Sequence, residues 1–351
     1  MRAKILKINR SDPNLSKIRL AAETIRKGGL VVFPTETVYG IGADATNASA
    51  CRRIFKAKRR PYDNPLIVHV SDMGMADKVA IIPKHYRKAI EATWPSPLTL
   101  ILKARTGLPR VVTAGLKTVA VRMPADKIAL ELIRQSGTPI AAPSANISKK
   151  PSSTSGKHAI GYFINAVDII LDAGPSKFGI ESTVLDLGKF TLLRPGAFTM
   201  EDIFAAFLKM PKLPKEALGL KEAKRALSPG MKYKHYSPDT KLLLYEGDPS
   251  ELRQILSPWK GRFSFIGSEE TARLLGRMPV KSIILGSRKQ PRAIARNLFS
   301  GLIYLDSLKV EFCIAESFAE EGYGLAVMNR LRKASGHKHF STAEELEKYL
   351  S

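Results

Sequence analysis

Four cationic side chains lie within five positions of the segment FKAKRRPYDNPLIVHV, at Lys56, Lys58, Arg59 and Arg60. Like charges this close repel one another unless solvent or a bound anion neutralises them. One interpretation is a solvated helix end, where the helix dipole favours cations. The other is a polyphosphate clamp in which Lys58 and Arg60, two residues apart in a loop, contact the same anion from one side. The spacing leaves both interpretations open.

Polar turns follow two of the predicted strands. In APSANIS, Ser144 and Asn146 come just after a buried strand, and α/β proteins bind ligands at the carboxyl ends of strands. Small residues there let backbone N–H groups approach a phosphate, and the hydroxyl and amide add donors. In FPTETVYGIG, Thr35 and Thr37 follow the first strand of the segment in the same way. Ordinary connecting turns explain both segments equally well.

Four segments carry a polar side chain at or beside a strand end. Arg122 lies inside the apolar strand VAVRMP, where it requires an anion, either a bound carboxylate or an internal Asp or Glu. His69 closes the apolar strand PLIVHV and is either a core histidine or a ligand. The segments GIESTVLDL and LLRPG add Ser182 and Arg194, although a single Arg at a strand end is also typical of a surface.

The elements that position these residues alternate irregularly over the first 200 residues or so. Apolar spacing predicts a helix over ASACRRIFKAK, and DKIALELIRQSG is predicted to be a helix with Asp126 as N-cap and Gly137 just past its end. A third helix, TMEDIFAAFLK, begins at the capping residue Thr199. Short strands separate these helices, which indicates a mixed α/β domain over residues 1–208.

The composition changes over residues 209–238, where prolines, glycines and Lys/Arg residues are frequent, and we interpret this segment as a basic linker. From residue 239 to 351 strands and helices alternate regularly, which predicts a smaller domain built on an open parallel sheet. That domain has no G-x-G-x-x-G turn after its first strand, so the sequence does not indicate a dinucleotide site.

Charge and cysteine content narrow the class of protein. The 351 residues include 56 Lys and Arg against 32 Asp and Glu, a formal charge of +24, which points to phosphate-bearing partners. The two cysteines, Cys51 and Cys313, form neither a disulfide framework nor a zinc-binding pattern. We see no signal peptide and no apolar run of the roughly 20 residues that span a bilayer. We therefore expect a cytoplasmic protein.

Several segments resemble a known family when they are taken together and in this order. The segments PTETVYG, KAKRRPYDNPLIVHV, VAVRMP, APSANIS, GIESTVLDL and LLRPG resemble the signature set of the YrdC-like threonylcarbamoyl-AMP synthases. The segments SPGMKYKHYSP and GLAVMNRLRKA resemble the long, two-domain branch. The resemblance implies an N-terminal YrdC-like domain with a twisted sheet and a concave basic cavity, and a C-terminal Rossmann-like domain.

The resemblance also implies an activity. The family condenses L-threonine, bicarbonate or CO2, and ATP into threonylcarbamoyl-AMP and releases pyrophosphate. A partner tRNA threonylcarbamoyltransferase then modifies an adenosine beside the anticodon, which makes tRNA a further partner to consider. Mg²⁺ is expected to enter with ATP and to be held by phosphates and water rather than by protein side chains.

Residue roles are carried over from the matching motifs. By resemblance Lys58 and Arg60 are the catalytic pair. The resemblance assigns ATP binding to Lys58, Arg60, Asn64, Thr118, Ser144, Asn146, Ser152, Arg194, His235 and Tyr236. It assigns L-threonine binding to Thr35, His69, Arg122, Ala142 and Ser182. His235 and Tyr236, in the linker, match residues that close over the nucleotide.

One residue departs from the family pattern. The family commonly has Gly between the clamp Lys and Arg, whereas this chain has Arg59. Arg59 is therefore expected to tolerate a loop conformation that glycine adopts freely, and to contact phosphate or face solvent.

Two other functions compete with the enzyme. A double-stranded RNA or tRNA-binding protein would use a basic cavity and a charge of +24 on the phosphate backbone. A carbamoyl-transferring maturation enzyme would use a YrdC-like module on carbamoyl phosphate. That architecture usually adds a zinc finger, and two cysteines in the whole chain are too few for one.

Overall fold

The computed structural model describes residues 2–221, 235–259, 261–276, 278 and 280–350. The described chain forms two units. The N-terminal unit contains residues 2–148 and Ser152–Ala217, and the C-terminal unit contains Lys149–Pro151, Leu218–Lys221 and the described residues from 235 onwards. Part of the predicted linker, residues 222–234, lies outside the described residues, so the predicted domain limits stay predictions.

A mixed sheet organises the N-terminal unit. Its strands are β1 Lys4–Lys7, β2 Val31–Phe33, β3 Gly40–Asp44, β4 Ile67–His69, β5 Ala80–Ile81, β6 Leu98–Ala104, β7 Thr118–Arg122, β8 Ile140–Ala141, β9 Ile169–Asp172, β10 Thr183–Asp186 and β11 Thr191–Arg194. They are ordered β1-β9-β2-β3-β8-β4-β7-β6-β10-β11, and β5 pairs with β6. Parallel pairs such as β4–β7 and antiparallel pairs such as β6–β7 both occur, which confirms the mixed α/β prediction.

The helices of this unit begin and end at the signals that the sequence carries. They are α1 Leu15–Arg26, α2 Ala48–Lys58, α3 Met73–Val79, α4 Arg87–Thr93, α5 Arg110–Thr113, α6 Lys127–Ser136, α7 Gly156–Phe163 and α8 Met200–Phe207, with a 3₁₀ turn at Lys84–Tyr86. The Asp126 side chain caps α6, and Gly137 ends that helix at a φ of 66°. Thr199 caps α8 in a capping box with Asp202. All three predicted helix-end residues are confirmed.

Helix α2 delivers the basic cluster to the site. The Asn47 side chain caps its first turn, and its buried side chains include Ile54 and Phe55. The sequence predicted that Lys58 lies in a loop. It is instead the last residue of the helix. Arg59 ends the helix in the left-handed region, at φ 51° and ψ 46°. The expectation that Arg59 takes a conformation favoured by glycine is therefore confirmed, at a cost of about 1 kcal/mol.

The C-terminal unit contains the predicted open parallel sheet. Its strands are β12 Lys241–Tyr245, β13 Phe263–Ser268, β14 Lys281–Gly286, β15 Phe312–Glu316 and β16 His339–Phe340, in the order β14-β13-β15-β12-β16. Every pairing in it is parallel. Its helices are α9 Leu252–Leu256, α10 Glu269–Leu275, α11 Pro291–Leu305, α12 Tyr323–Ala334 and α13 Ala343–Leu350. The strands bury one continuous apolar cluster that includes Phe265 and Ile314.

A buried carboxylate lies at the carboxyl edge of this parallel sheet. Glu316 ends β15 with 1% of its surface exposed. It accepts hydrogen bonds from the Ser268 backbone N–H (2.6 Å), the Ser268 Oγ (3.0 Å), the Thr271 Oγ1 (2.8 Å) and the Arg288 Nε (2.5 Å). Both carboxylate oxygens therefore have partners, and the charge is matched by Arg288.

Both cysteines lie in the interior of the described chain. Cys51 and Cys313 are both buried and unbonded, and burial raises the pKa of each thiol to about 12. In the part of the chain that the structure describes, no helix combines the length and the apolar character needed to cross a membrane.

Candidate active site

One row of side chains crosses five neighbouring strands of the N-terminal sheet. His69 on β4 is in register with Arg122 on β7, and Arg122 is in register with Thr99 on β6. Thr99 is in register with Val184 on β10, which in turn is opposite Arg194 on β11. Residues in register point to the same face, so these five form a line about 19 Å long. The line lies at the edge where β4, β7 and β11 end.

Arg122 is held in this row by partners from the PTET turn. Its Nη1 donates to the Thr37 Oγ1 (2.9 Å), and Thr37 in turn lies 2.9 Å from the Thr35 Oγ1. Its Nη2 lies 2.6 Å from the Glu36 Oε1, and both side chains are 4% exposed. That contact is an ion pair without hydrogen-bond alignment, because neither Glu36 oxygen has a hydrogen bond among the described residues. An internal acid therefore pairs with Arg122, which was one of the two predicted solutions.

His69 lies beside Arg122 as a neutral ring. Burial, and after it the charge of Arg122, lowers the pKa of His69 to about 3. Its ring packs edge-on against Phe33, with 6.2 Å between the centroids. The backbones of Ile67 and Ile140 lie close enough to the ring to oppose this lowering of the pKa, although the buried Nδ1 makes no well-aligned hydrogen bond among the residues that the structure describes. A neutral imidazole with one unpaired nitrogen is suited to donate to or accept from a bound molecule.

The far end of the row is built around Ser182. Its Oγ lies 2.8 Å from the Thr99 Oγ1, and Arg194 donates from Nε (3.1 Å) and Nη2 (2.8 Å) to the Ser182 carbonyl oxygen. Gly196 permits this approach because a Cβ there would lie 2.4 Å from the Glu181 carbonyl oxygen. Close backbone packing therefore requires glycine at this position of LLRPG.

Lys58 connects the basic cluster to the APSANIS turn. Its Nζ donates to the Ser144 and Asn146 carbonyl oxygens, both at 2.5 Å, and the Ser144 Oγ donates to the Asn146 Oδ1 at 2.6 Å. Lys58 is 1% exposed, and burial, followed by the charge of Arg60, lowers its pKa well below the usual range. As an ammonium group Lys58 has three N–H donors, of which two donate to the turn and the third is available to a bound anion, whose charge would favour that protonated form.

Arg60 lies against the loop that follows it. Its Nε donates to the Asn64 carbonyl oxygen (3.2 Å), and its Nη2 donates to the Pro65 carbonyl oxygen (3.0 Å). The Asn64 Oδ1 is buried, with no hydrogen-bond partner in the described ranges of the chain. Backbone carbonyls therefore contact both Lys58 and Arg60.

Two hydrogen bonds connect the APSANIS turn to the Ser182 end of the row. The Ser153 Oγ donates to the Ala145 carbonyl oxygen. The neighbouring Ser152 Oγ donates to the Glu181 Oε1 at 2.6 Å. Residues predicted for phosphate and residues predicted for threonine thus lie in one hydrogen-bonded part of the N-terminal unit. Their roles in binding remain predictions.

The structure places two other predicted residues, Ala142 and Thr118, at different parts of the sheet. Ala142 follows β8, and its N–H donates to the Ile67 carbonyl oxygen (2.8 Å), which puts it beside β4 and His69. Thr118 begins β7, four residues and about 13 Å of strand away from Arg122, so it lies at the opposite end of that strand.

His235 and Tyr236 belong to the C-terminal unit. The Tyr236 ring is buried, lies 5.3 Å from the Phe299 ring and packs under the Arg330 guanidinium at 5.6 Å. The prediction that His235 and Tyr236 close over the nucleotide stays a prediction.

Sequence reasoning missed three residues of this region. Glu36 pairs with Arg122, Thr99 bonds Ser182, and Glu181 bonds Ser152. The sequence did carry a signal for Glu36. It is an acidic residue in PTET, next to a buried strand, and Arg122 in another buried strand needs an anionic partner. Thr99 and Glu181 gave no comparable signal. Among the described residues, no group of three or more His, Cys, Asp or Glu side chains is placed to hold a metal ion.

Comparisons with known proteins place both units in one family. A family model described as "Telomere recombination" matches residues 23–196, and one described as "Threonylcarbamoyl-AMP synthase, C-terminal domain" matches residues 198–336. The threonylcarbamoyl-AMP synthase of Pyrococcus abyssi is 44% identical over 326 residues, which cover 92% of this chain and 95% of the relative. That of Bacillus subtilis is 42% identical over 339 residues, covering 94% and 95%.

A solved structure agrees in fold. The crystal structure of P. abyssi Sua5 complexed with L-threonine matches with a TM-score of 0.90 at 42% identity, covering 97% of this chain and 100% of that one. The match extends over nearly the full length of both chains, as does the agreement with the P. abyssi and B. subtilis sequences. The chain therefore belongs to the threonylcarbamoyl-AMP synthase family.

Proposed function

We propose that the N-terminal unit makes L-threonylcarbamoyl-AMP from L-threonine, bicarbonate or CO2, and ATP, with release of pyrophosphate. The observation that carries this function is the hydrogen-bonded connection between the Lys58 turn and the row at Arg122 and Ser182. A cationic phosphate site and a polar amino-acid site are the two halves that the reaction needs. The relative crystallised with L-threonine supports the same conclusion.

The threonine half is formed by His69, Arg122, Ala142, Ser182 and Thr35. The Arg122 guanidinium receives the substrate carboxylate, because it is the buried cation beside His69 and its Nε has no hydrogen bond within the described chain. The neutral His69 and the Ser182 hydroxyl offer partners to the remaining polar groups of the substrate.

The nucleotide half is formed by Lys58 and Arg60 with Ser144, Asn146, Asn64, Ser152 and Arg194. Thr118, His235 and Tyr236 are further nucleotide contacts that we carry over from the family motifs. The free N–H of Lys58 and the Arg60 guanidinium offset the charge of a triphosphate and of the departing pyrophosphate. Hydroxyls, amides and cations fit a triphosphate that brings its own Mg²⁺, so we assign no protein ligand to that ion.

The chemistry then requires positioning more than a covalent protein nucleophile. The threonine ammonium group loses one proton to solvent, the free amine attacks CO2, and a second proton leaves to give a carbamate, whose oxygen attacks the α-phosphorus while pyrophosphate leaves. Reactions of this kind are accelerated mainly by holding the reactants in line and by neutralising developing charge. Lys58 and Arg60 supply that neutralisation at the phosphates.

We place the product upstream of a tRNA threonylcarbamoyltransferase in the cytoplasm. The mixed anhydride of a carbamate and AMP is a labile activated group, so an acceptor enzyme has to consume it. Direct tRNA contact by this chain is a separate possibility, for which the charge of +24 provides the only support. The relatives' names favour the synthase over a protein that only binds RNA.

The decisive assay incubates the protein with ATP, L-threonine and labelled bicarbonate. We expect threonine-dependent pyrophosphate release and an acid-labile labelled adenylate. Lys58→Ala should lower the rate by about 1000-fold, because it removes a charged phosphate contact in a site closed to solvent. Lys56→Ala is the matched control, since Lys56 is an exposed member of the same basic cluster and should keep its activity. A wild-type protein that binds tRNA but releases no pyrophosphate would overturn the proposed function.

A further inference from the structure

Three neighbouring side chains at the Arg122 end of the row carry five buried polar atoms that make no aligned hydrogen bond within the described chain, although two of them, the Glu36 Oε1 and the Arg122 Nη2, are ion-paired. They are both carboxylate oxygens of Glu36, the Nδ1 of His69, and the Nε and Nη2 of Arg122. Buried polar atoms in folded proteins are hydrogen-bonded in the large majority of cases, so such a cluster requires a specific explanation. A ligand that supplies the missing partners is the direct one.

The Glu36 carboxylate is the part of this cluster that the threonine site described above does not use. It is 4% exposed, and the Arg122 Nη2 is its ion-pair partner at 2.6 Å. A buried carboxylate has about four acceptor positions, and a cation alongside without hydrogen-bond alignment fills none of them well. Glu36 therefore retains capacity to accept from a donor that arrives with the substrate.

The charge arrangement matches one class of molecule. Arg122 and Glu36 present a cation and an anion side by side, and an α-amino acid carries an anion and a cation on the two atoms bonded to one carbon. A zwitterion can exchange partners with this pair, its carboxylate taking Arg122 and its ammonium taking Glu36, without changing the net charge of the site. A simple carboxylic acid or an α-hydroxy acid would leave Glu36 without a cation.

We propose that Glu36 binds the α-ammonium group of L-threonine and thereby selects α-amino acids over α-hydroxy acids. This inference rests on the proposed function, because it takes threonine as the occupant of the row. Glu36 replaces its single misaligned contact with Arg122 by a charge-assisted hydrogen bond to the substrate. Thr35, next to Glu36 in the chain, then lies at the same end of the substrate.

The test compares two ligands on two proteins. L-threonine and its α-hydroxy analogue, which keeps the carboxylate and the side-chain hydroxyl, are titrated calorimetrically into the wild type and into Glu36→Gln. The wild type should bind threonine about 100-fold more tightly than the analogue, since removing one partner of a buried charged pair typically costs that much. In Glu36→Gln, the affinity for threonine should fall by about 100-fold, while the affinity for the analogue stays the same or rises. The preference for threonine should therefore disappear.

Two controls separate an effect on the ammonium from an effect on folding. Glu316→Gln alters a buried carboxylate of the C-terminal unit and should keep the preference for threonine. Glu36→Asp keeps the charge and should keep part of the preference. Unchanged ATP affinity in Glu36→Gln checks that the N-terminal unit is intact.

The outcomes distinguish this inference from the proposed function. If wild-type protein binds no threonine and releases no pyrophosphate, the proposed function is wrong. If the wild type binds threonine and Glu36→Gln weakens both ligands equally, Glu36 is only a counter-ion for Arg122 and the inference is overturned. Full retention of the preference in Glu36→Gln overturns it as well.

Discussion

Each of the two units has an Arg–Glu pair with a buried carboxylate, and the two pairs are built in opposite ways: Arg122 is 4% exposed beside Glu36, whereas Arg288 is 37% exposed beside Glu316. In the C-terminal unit Glu316 accepts four hydrogen bonds, from Ser268, Thr271 and Arg288. In the N-terminal unit Glu36 lies as close to Arg122, yet neither of its oxygens has a hydrogen bond among the described residues.

The difference indicates what each pair is for. Desolvating two charges is costly, and surrounding hydrogen bonds are what offset that cost in a purely structural pair. The pair of Glu316 is completed by its own unit and needs nothing further. The pair of Glu36 is incomplete, which is typical of a site whose remaining partners belong to a ligand.

The largest effect is expected when the N-terminal pair is replaced by apolar residues. We expect Glu36→Leu with Arg122→Met to abolish threonine-dependent turnover, by about 1000-fold or more, because the carboxylate and ammonium contacts are both lost. The free energy of unfolding should stay the same or rise by about 1–4 kcal/mol, since no hydrogen bond to Glu36 is sacrificed. Pyrophosphate release and urea unfolding measure the two effects. A protein that loses several kcal/mol would show that the pair is structural.

The matching replacement in the C-terminal unit should do the reverse. Glu316→Leu with Arg288→Met leaves the Ser268 N–H and two hydroxyls buried without an acceptor, at a cost of about 1–3 kcal/mol for each lost partner. We expect the free energy of unfolding to fall by about 3 kcal/mol, measured by urea unfolding. The threonine KM of the folded fraction should not change. A stability equal to that of the wild type would contradict the contrast between the pairs.

The pH dependence of stability should also differ between a buried histidine of the N-terminal unit and an exposed one of the C-terminal unit. His69 has a pKa of about 3 in the folded protein, lowered by burial and then by Arg122, against about 6.5 when unfolded. Between these values the unfolded chain binds more protons, so stability falls as the pH is lowered from about 6.5, by up to about 1.4 kcal/mol per pH unit. His69→Asn should remove this slope in urea unfolding. His337→Asn, at an exposed position of the C-terminal unit, should leave it in place.

The smallest expected effect concerns two helix ends within the N-terminal unit. Helix α2 ends at Arg59 with a φ of 51°, whereas α6 ends at Gly137 with a φ of 66°. Arg59→Gly should stabilise the unit by about 1 kcal/mol by removing left-handed strain, and Gly137→Ala should destabilise it by a similar amount. Thermal unfolding measures both. A large loss of turnover in Arg59→Gly would instead indicate that Arg59 contacts phosphate.

Much of the fold follows from local signals in the sequence. The side chains of Asp126 and Thr199 cap the helices that they were predicted to begin, and Gly137 ends α6. The regular alternation after residue 239 predicted the parallel sheet, because such strands need helical crossovers. The class of both units was therefore predictable without coordinates.

The site was predictable only in part, because its geometry depends on pairing between distant strands. Lys58 and Ser144 were each recognised as candidates, but their hydrogen bond spans 86 residues. The pairing of Arg122 with Glu36 also spans 86 positions, and the sequence left its partner open between a ligand and an internal acid. Register between β7 and β6 is what aligns Arg122 with Thr99, the partner of Ser182, and no single strand encodes it.

The two ends of the row that crosses five strands are expected to differ in local stability. His69 and Arg122 lie on strands with neighbours on both sides, whereas Arg194 lies on β11, the last strand of the order. Opening of the β10–β11 hairpin would release Ser182 and Arg194 together and leave the other half in place. Amide hydrogen exchange should therefore report a slow rate at Val121 and a faster one at Leu193, so that the proposed binding site opens first at its outer strand.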